Sequence, residues 1–323
     1  MNMSPEIQNA LKNWIPYRLY LEEGQRFCKW LFVDDKDFTE PFFDDTIFKC
    51  RQISSNSQRM KCISSLDILP EWSGSLESIK PSAFIFHVSR CGSTLATQLL
   101  GLNEANITLS EVPFFDELLR SQKEEQTAHL LQAAISFYGA KRKPAQQRLF
   151  IKTDSWHIFF YPLIRKLYAE TPFILLYREP GEVIRSHQKR RGMQAVQGVI
   201  EPELFGFDRE NIKKLGLDEY MAKVLEKYFL SFIEIAEKDP FAFPVNYNEG
   251  PLAIVEKIAT TAGFSFTEDE LDKMKQRASY HAKYPEQFFS EETVQSPIPG
   301  YLTPAIELYE TLEKIRKGII SYA

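Results

Sequence analysis

From residue 81 onward, short continuous apolar runs alternate with stretches whose apolar positions recur every three or four residues. The runs at 83–88 (AFIFHV), 148–152 (RLFIK), 172–177 (PFILLY) and 241–245 (FAFPV) have the length of strands. Between and around them the periodicity predicts helices at about 93–102, 157–170, 180–191 and 218–238. The third of these opens on Pro180, a residue suited to a first helical turn. Strands that are apolar throughout and separated by helices predict an α/β fold, with a parallel sheet covered by helices on both faces. Ligands of such sheets bind beyond the carboxyl ends of the strands.

The first 80 residues have a different texture. A short amphipathic helix at about 5–13 leads into segments dense in aromatic and acidic residues, such as FCKWLFVDDKDFTEPFFDDTIFKC. Alternation over 27–33 predicts short strands, and the stretches 54–57 and 70–75 supply turn residues. The chain thus reads as a small β-rich N-terminal extension or subdomain (1–80), without a legible function of its own, followed by an α/β domain (81–323).

Composition narrows the classes of partner. With 44% hydrophobic and 13% aromatic residues among 323, the chain can bury a full core and is not globally disordered. Its 39 basic and 44 acidic residues leave a net charge of −5, so nothing draws it as a whole toward nucleic acid or anionic lipid. Any anion it binds must be captured by a local cluster. No apolar run approaches the roughly 20 residues of a membrane helix, and the first residues lack the pattern of a secretory signal. The cysteines at 28, 50, 62 and 91 form no CxxC pair and have no histidine at zinc-ligand spacing. Reduced thiols in a cytoplasmic protein are expected. Oligomeric state is not legible.

Two basic motifs stand at predicted strand–helix junctions. In FIFHVSRCGSTLATQLL, a buried strand enters a loop with Gly92, Ser93 and Thr94 and then a helix. Backbone N–H groups and the positive helix end converge there on one point. Gly92 would allow close approach of a ligand, Ser93 and Thr94 add hydroxyls, and Arg90 adds a fixed charge. The loop is not a Walker A motif: His87 stands where the first glycine belongs, and Ser93 where the lysine does. An ordinary capped helix start would explain Gly-Ser-Thr alone, but not an arginine two residues before the glycine. In the second motif, the strand FILLY runs into REPGEVIRSHQKRR, with Arg178 at the strand end and Ser186 eight residues later. Lys189, Arg190 and Arg191 suit a helix C-terminus without any ligand. Arg178 does not, because a charge just past a buried strand is costly unless it is paired.

With these two motifs in this order, the chain resembles the sulfotransferase superfamily, whose members use 3′-phosphoadenosine 5′-phosphosulfate (PAPS). SRCGSTL resembles the family's 5′-phosphosulfate loop, with Cys91 in place of the usual Ser or Gly. Arg178 and Ser186 match its 3′-phosphate motif, and YNEGPLAIVEKIATTAGF is similar to its Tyr-Glu-Asp segment. The resemblance covers about residues 81–265. It implies a P-loop-kinase-like three-layer fold, PAPS as cofactor with PAP as product, and no metal. It also implies that Arg90, Cys91, Gly92, Ser93, Thr94, Arg178 and Ser186 form the nucleotide site.

For the chemistry, the resemblance implies Arg90 on the leaving group and Lys152, at the end of RLFIK, on the transferring group. A lysine snorkelling from a strand end is the alternative for Lys152. In the tyrosylprotein branch of the family a Glu follows the loop arginine by 21 residues, which makes Glu111 the candidate base. An ordinary acid at a helix start before Pro113 competes with that role. The cytosolic branch carries Lys-Thr-His where this chain has IKTD, so Asp154 is the second candidate. His157 reads as a helix-cap imidazole and His87 as structural. A loop at 278–288 with His281 and Lys283 reads either as a lid over the nucleotide or as a surface connection. Trp156, Phe159, Phe160 and Tyr161 could line an acceptor pocket or face the core. The acceptor is a hydroxyl, or an amine, on a small molecule, glycan, lipid or peptide. A nucleotide-dependent kinase and a non-catalytic PAP-binding protein are the competing readings.

Overall fold

The computed structural model describes residues 5–57, 61–121, 124–280, 282, 286–288 and 297–318. Among the described residues, eight strands lie in two sheets. The first is antiparallel, with β1 (Trp14–Glu22), β2 (Gln25–Phe32) and β3 (Ile63–Ser65) in that order. The β1–β2 hairpin turns on Glu23 and Gly24, both at positive φ (49° and 78°). A two-residue turn of that hand matches the right-handed twist of its strands. The second sheet holds β4 (Pro81–His87), β5 (Asn106–Ser110), β6 (Arg148–Lys152), β7 (Phe173–Tyr177) and β8 (Ala242–Asn246), in the order β5-β6-β4-β7-β8. The pairs β5–β6, β4–β7 and β7–β8 are parallel. An α/β fold with a parallel sheet flanked by helices and a small β-rich N-terminal part is therefore what this sequence forms.

The chain divides into two compact units. One comprises Met1–Ser82, Thr97–Lys152 and Pro162–Thr171; the other comprises Ala83–Ala96, Thr153–Tyr161 and Pro172–Ala323. In the first unit, aromatic side chains make the core. Trp30 of β2 meets Phe137 edge-on at 4.9 Å, and Tyr138 packs between Phe43 and Phe115 at 5.2 and 4.8 Å. The buried Tyr138 hydroxyl donates to the Pro16 carbonyl at 2.7 Å, beside a register shift in β1. Trp30 and Phe43, from the aromatic-rich stretch 27–50, thus pack against the helix Glu124–Tyr138. In the second unit, the long helix Leu217–Lys238 buries Tyr220, Met221, Val224, Leu225, Tyr228, Phe229 and Phe232.

Several elements depart from the pattern-based expectation. β5 (NITLS) alternates polar with apolar residues, yet all five positions are buried. Its polar side chains are satisfied internally: Asn106 donates to the Leu100 carbonyl, Thr108 to the Phe38 carbonyl and Ser110 to the Thr97 hydroxyl. Alternation of this kind fits a half-exposed strand, and the burial of its polar face follows only from partners that folding supplies. The helix expected at 157–170 is instead a 3₁₀ segment, Ser155–Phe160, followed by the helix Tyr161–Leu167 with Pro162 in its first turn. The turn residues at 54–57 form a short helix, Ser54–Ser57, and much of 70–75 belongs to the helix Ile68–Ser73. The strand Trp14–Glu22 had no counterpart in the sequence reading.

Candidate functional site

The loop after β4 is built from left-handed backbone. Ser89, Arg90 and Gly92 have φ of 71°, 52° and 76°. For the two non-glycine residues this conformation costs about 1–2 kcal/mol each, so the surroundings must hold it. His87 supplies part of that hold: its Nδ1 accepts the Ser89 N–H at 3.1 Å while its Nε2 donates to the Thr153 carbonyl at 3.0 Å. The Ser89 hydroxyl lies 3.4 Å from Nε2 of the fully buried His187. His87 is therefore structural, as its place in a buried strand suggested. Cys91 is also fully buried, its thiol donating to the Leu176 carbonyl at 3.4 Å, so any part it takes in anion binding falls to its main chain. The helix Ser93–Leu100 begins directly after Gly92. Ser93 is buried, whereas Arg90 and Thr94 are half-buried.

The second basic motif meets this loop. Arg178, only 7% exposed, follows the last residue of β7. Its Nη1 donates to the Arg90 carbonyl at 3.4 Å, and its Nε pairs with Glu182 Oε2 at 2.9 Å. Its guanidinium lies 4.1 Å from the ring centre of Tyr247, a cation–π stack. The same ring lies over Gly92, where a Cβ would come within 2.8 Å of Tyr247 Cδ2 and Cε2. The glycine is thus required by its positive φ and by Tyr247, and the space above it belongs to an aromatic ring. Arg90 is anchored in turn, its Nη2 donating to the Arg190 carbonyl. Ser186 sits half-buried on the helix Pro180–Lys189, which is capped by Glu179 accepting from the N–H groups of Gly181 and Glu182.

In the other unit, Glu111 and Lys152 form a pair of their own. They are the residues next to and at the ends of the parallel neighbours β5 and β6, and the Glu111 N–H donates to the Lys152 carbonyl at 2.8 Å. Lys152 Nζ lies 2.9 Å from Glu111 Oε1, with the lysine side chain 0% and the glutamate side chain 22% exposed. A snorkelling lysine would carry its head into water, and this one does not. Glu111 is left-handed, at φ 56°, before the helix Pro113–Leu119. Phe42 lies against the lysine, its ring centre 5.2 Å from Nζ, so the N-terminal segment supplies part of this pair's surroundings.

Asp154 is buried and caps the 3₁₀ segment Ser155–Phe160. Its N–H donates to His157 Nδ1 at 3.3 Å, and its Oδ2 lies 3.6 Å from His157 Nε2, which makes His157 the cap imidazole expected of it. The aromatic residues after it face the core. Trp156 is buried, Phe159 packs against Tyr228 and Phe205 at 5.7 and 5.6 Å, and Tyr161 donates to Asp239 at 2.9 Å. His281 and Lys283 lie outside the described residues. Sequence reasoning passed over Tyr247, His187 and Phe42 as individuals. Each signals its role only through a partner distant in the chain.

No family model matches the chain, and no curated protein matches it. Solved structures do. A sulfotransferase from Alicyclobacillus acidocaldarius aligns at 14% identity and a TM-score of 0.42, over 72% of this chain and 95% of that one. The sulfotransferase STF1 of Mycobacterium tuberculosis H37Rv aligns at 13% identity and a TM-score of 0.40, over 77% and 79%. Mouse sulfotransferase SULT7A1, complexed with PAP, aligns at 11% identity and a TM-score of 0.38, over 80% and 91%.

Proposed function

We propose that the chain is a PAPS-dependent sulfotransferase that moves a sulfuryl group to a hydroxyl or amine of an acceptor. The observation that carries this reading is the corner where Arg178 reaches the Arg90 carbonyl and stacks on Tyr247, which in turn rests on Gly92. A phosphosulfate loop and a separate arginine for a second phosphate are what a reader of PAPS needs and a reader of ATP does not. The loop N–H groups, Ser93 and Thr94 take the 5′-phosphosulfate, with Cys91 and Gly92 contributing main chain, while Arg178 and Ser186 take the 3′-phosphate. Bonds from a guanidinium to phosphate are among the strongest available to a side chain.

In the reaction, the acceptor oxygen forms a bond to sulfur as the bond from sulfur to the 5′-phosphate oxygen breaks, and PAP leaves. The protein's contribution is alignment and charge stabilisation. Arg90 offsets the charge growing on the leaving oxygen, and Lys152 that on the sulfuryl oxygens. Glu111, paired with Lys152 at 2.9 Å, takes the acceptor's proton; Asp154 is the second candidate for that step. Cys28, Cys50 and Cys91 are buried, and a reducing, cytoplasmic setting is part of the proposal.

The test is thermal stability titrated with PAP, ADP and ATP in the absence of metal, for the natural chain and Arg178→Ala. Ligand at 100 times its dissociation constant stabilises a fold by about 2.7 kcal/mol. A response to PAP that ADP does not match and the variant loses is the expected result. Equal shifts with ADP, or a response to ATP alone, would turn the reading toward a nucleotide-dependent kinase.

A further inference from the structure

Arg178 and Tyr247 follow directly on the last residues of β7 and β8, Tyr177 and Asn246. Those two residues end on one carboxylate. Glu313, on the helix Thr303–Arg316, accepts at Oε1 from the Tyr177 hydroxyl and from Asn246 Nδ2 (2.8 Å). Arg316 closes the arrangement, its Nε and Nη2 donating to Glu313 Oε1 and Oε2 at 2.8 Å each. Its Nη1 reaches Glu249 Oε1 at 3.0 Å, the oxygen that also accepts the Asn246 N–H, and Lys257 holds Glu249 from the other side at 2.6 Å. Tyr309, one turn before Glu313, accepts from Asn246 Nδ2 at 2.9 Å. Of these residues only Tyr177, the last of FILLY, falls within either basic motif.

Within this unit the consequence is geometric. The two strand ends are tied to a common oxygen, and the next residue on each strand is one half of the Arg178–Tyr247 stack. A guanidinium held 4.1 Å above a ring, with that ring seated on Gly92, tolerates little movement of either strand end. We propose that Glu313 is a positioning residue that sets the Arg178–Tyr247 stack, and through it the placement of the arginine for its phosphate. Its bearing on ligand selection rests on the reading of Arg178 as the 3′-phosphate ligand; its bearing on the stack does not. Glu313 would hold the stack without touching a ligand. Hydrogen bonding keeps the carboxylate in the required state: burial opposes its ionisation, but donors from Arg316, Asn246 and Tyr177 hold its pKa down to about 2.

The experiment uses the full chain with Glu313→Gln and the milder Tyr177→Phe, which removes only one donor to the carboxylate. Each is studied at a temperature where circular dichroism and the unfolding midpoint show the variant fully folded. The first readout needs no nucleotide: the Nε–H resonance of Arg178, assigned by its loss in Arg178→Lys. Displacement or broadening of that resonance in both folded variants supports the proposal, and an unchanged resonance overturns it. The second readout is affinity. PAP should weaken by about tenfold or more in Glu313→Gln, while ADP stays within about twofold. A lowered unfolding temperature with an unmoved Arg178 resonance and unaltered PAP-to-ADP ratio would make Glu313 an anchor for its helix only, and the proposal would be wrong. Should the natural chain show no preference for PAP over ADP, the sulfotransferase reading fails, while the arginine resonance still decides the role of Glu313.

Discussion

At the scale of single residues, Gly92 is fixed by features of the fold that no local pattern states. A glycine at φ 76° with Tyr247 pressed on it has two independent grounds for lacking a side chain. Gly92→Ala should therefore destabilise the fold by about 2–4 kcal/mol, combining left-handed strain with a steric clash. Urea unfolding of Gly92→Ala, Tyr247→Ala and the double variant separates the two. The double variant should cost less than the sum of the singles, because removing the ring relieves the clash and leaves the strain. Arg178→Ala should weaken PAP binding by about 1.5–3 kcal/mol, the worth of a charged hydrogen bond; calorimetric titration measures it directly. On the proposed reading, Glu111→Gln keeps shape and volume but removes the proton acceptor, so sulfuryl transfer should vanish while PAP affinity stays nearly constant. Retained turnover in that variant, followed with radiolabelled PAPS, would move the base to Asp154. Lys152, buried entirely beside Glu111, makes the pair a unit: an uncompensated buried ammonium is costly.

At the scale of elements, the parts that announced themselves are those with one dominant environment. β4, β6, β7 and the helix Leu217–Lys238 are legible because their apolar runs and stripes have a single purpose. The full burial of β5 is not, since its Asn, Thr and Ser are buried only by virtue of partners elsewhere in the chain. The β1–β2 hairpin offers an element-level test. Glu23 holds φ 49°, a conformation that asparagine adopts more readily. Glu23→Asn should raise stability by about 0.5–1 kcal/mol, seen as a higher unfolding midpoint, because the turn type is kept and its strain reduced. A fall in the midpoint would mean that the Glu23 side chain contributes more than its backbone costs.

At the scale of the whole molecule, charge governs behaviour with pH more than it governs partners. The net charge is −5, and among the described residues no helix is long and apolar enough to cross a membrane. The carboxylates are the sensitive part. Glu313 is held down to about 2 against its burial by Arg316, Asn246 and Tyr177. Glu40, although its burial opposes ionisation, is lowered by hydrogen bonds from Lys36, Thr46 and Lys49. A carboxylate whose pKa is lower in the folded than in the unfolded chain binds fewer protons when folded, so its stabilisation is complete above the unfolded value. That stabilisation is lost as pH falls through the folded value. For Glu313 the window runs from about 4.5 down to about 2. Unfolding midpoints measured across it should decline for the natural chain, and the decline should be shallower in Glu313→Gln.

The sequence by itself determined four of the five strands of the second sheet, several of the helices around them, and the two basic motifs at strand–helix junctions. These follow from hydropathy period, Gly and Pro positions and local charge, all of which are properties of neighbours along the chain. Its resemblance to sulfotransferases rested on the same local features. Tertiary structure alone decided that Tyr247 covers Gly92 and stacks on Arg178, and that Lys152 is buried against Glu111. It also decided that aromatic residues of the N-terminal segment pack with the helix Glu124–Tyr138, and that Glu313 gathers the ends of β7 and β8. In each case the partners are far apart in sequence and meet only in the folded chain. A polar or aromatic side chain carries no mark of which distant group will satisfy it until the sheet has brought the two together.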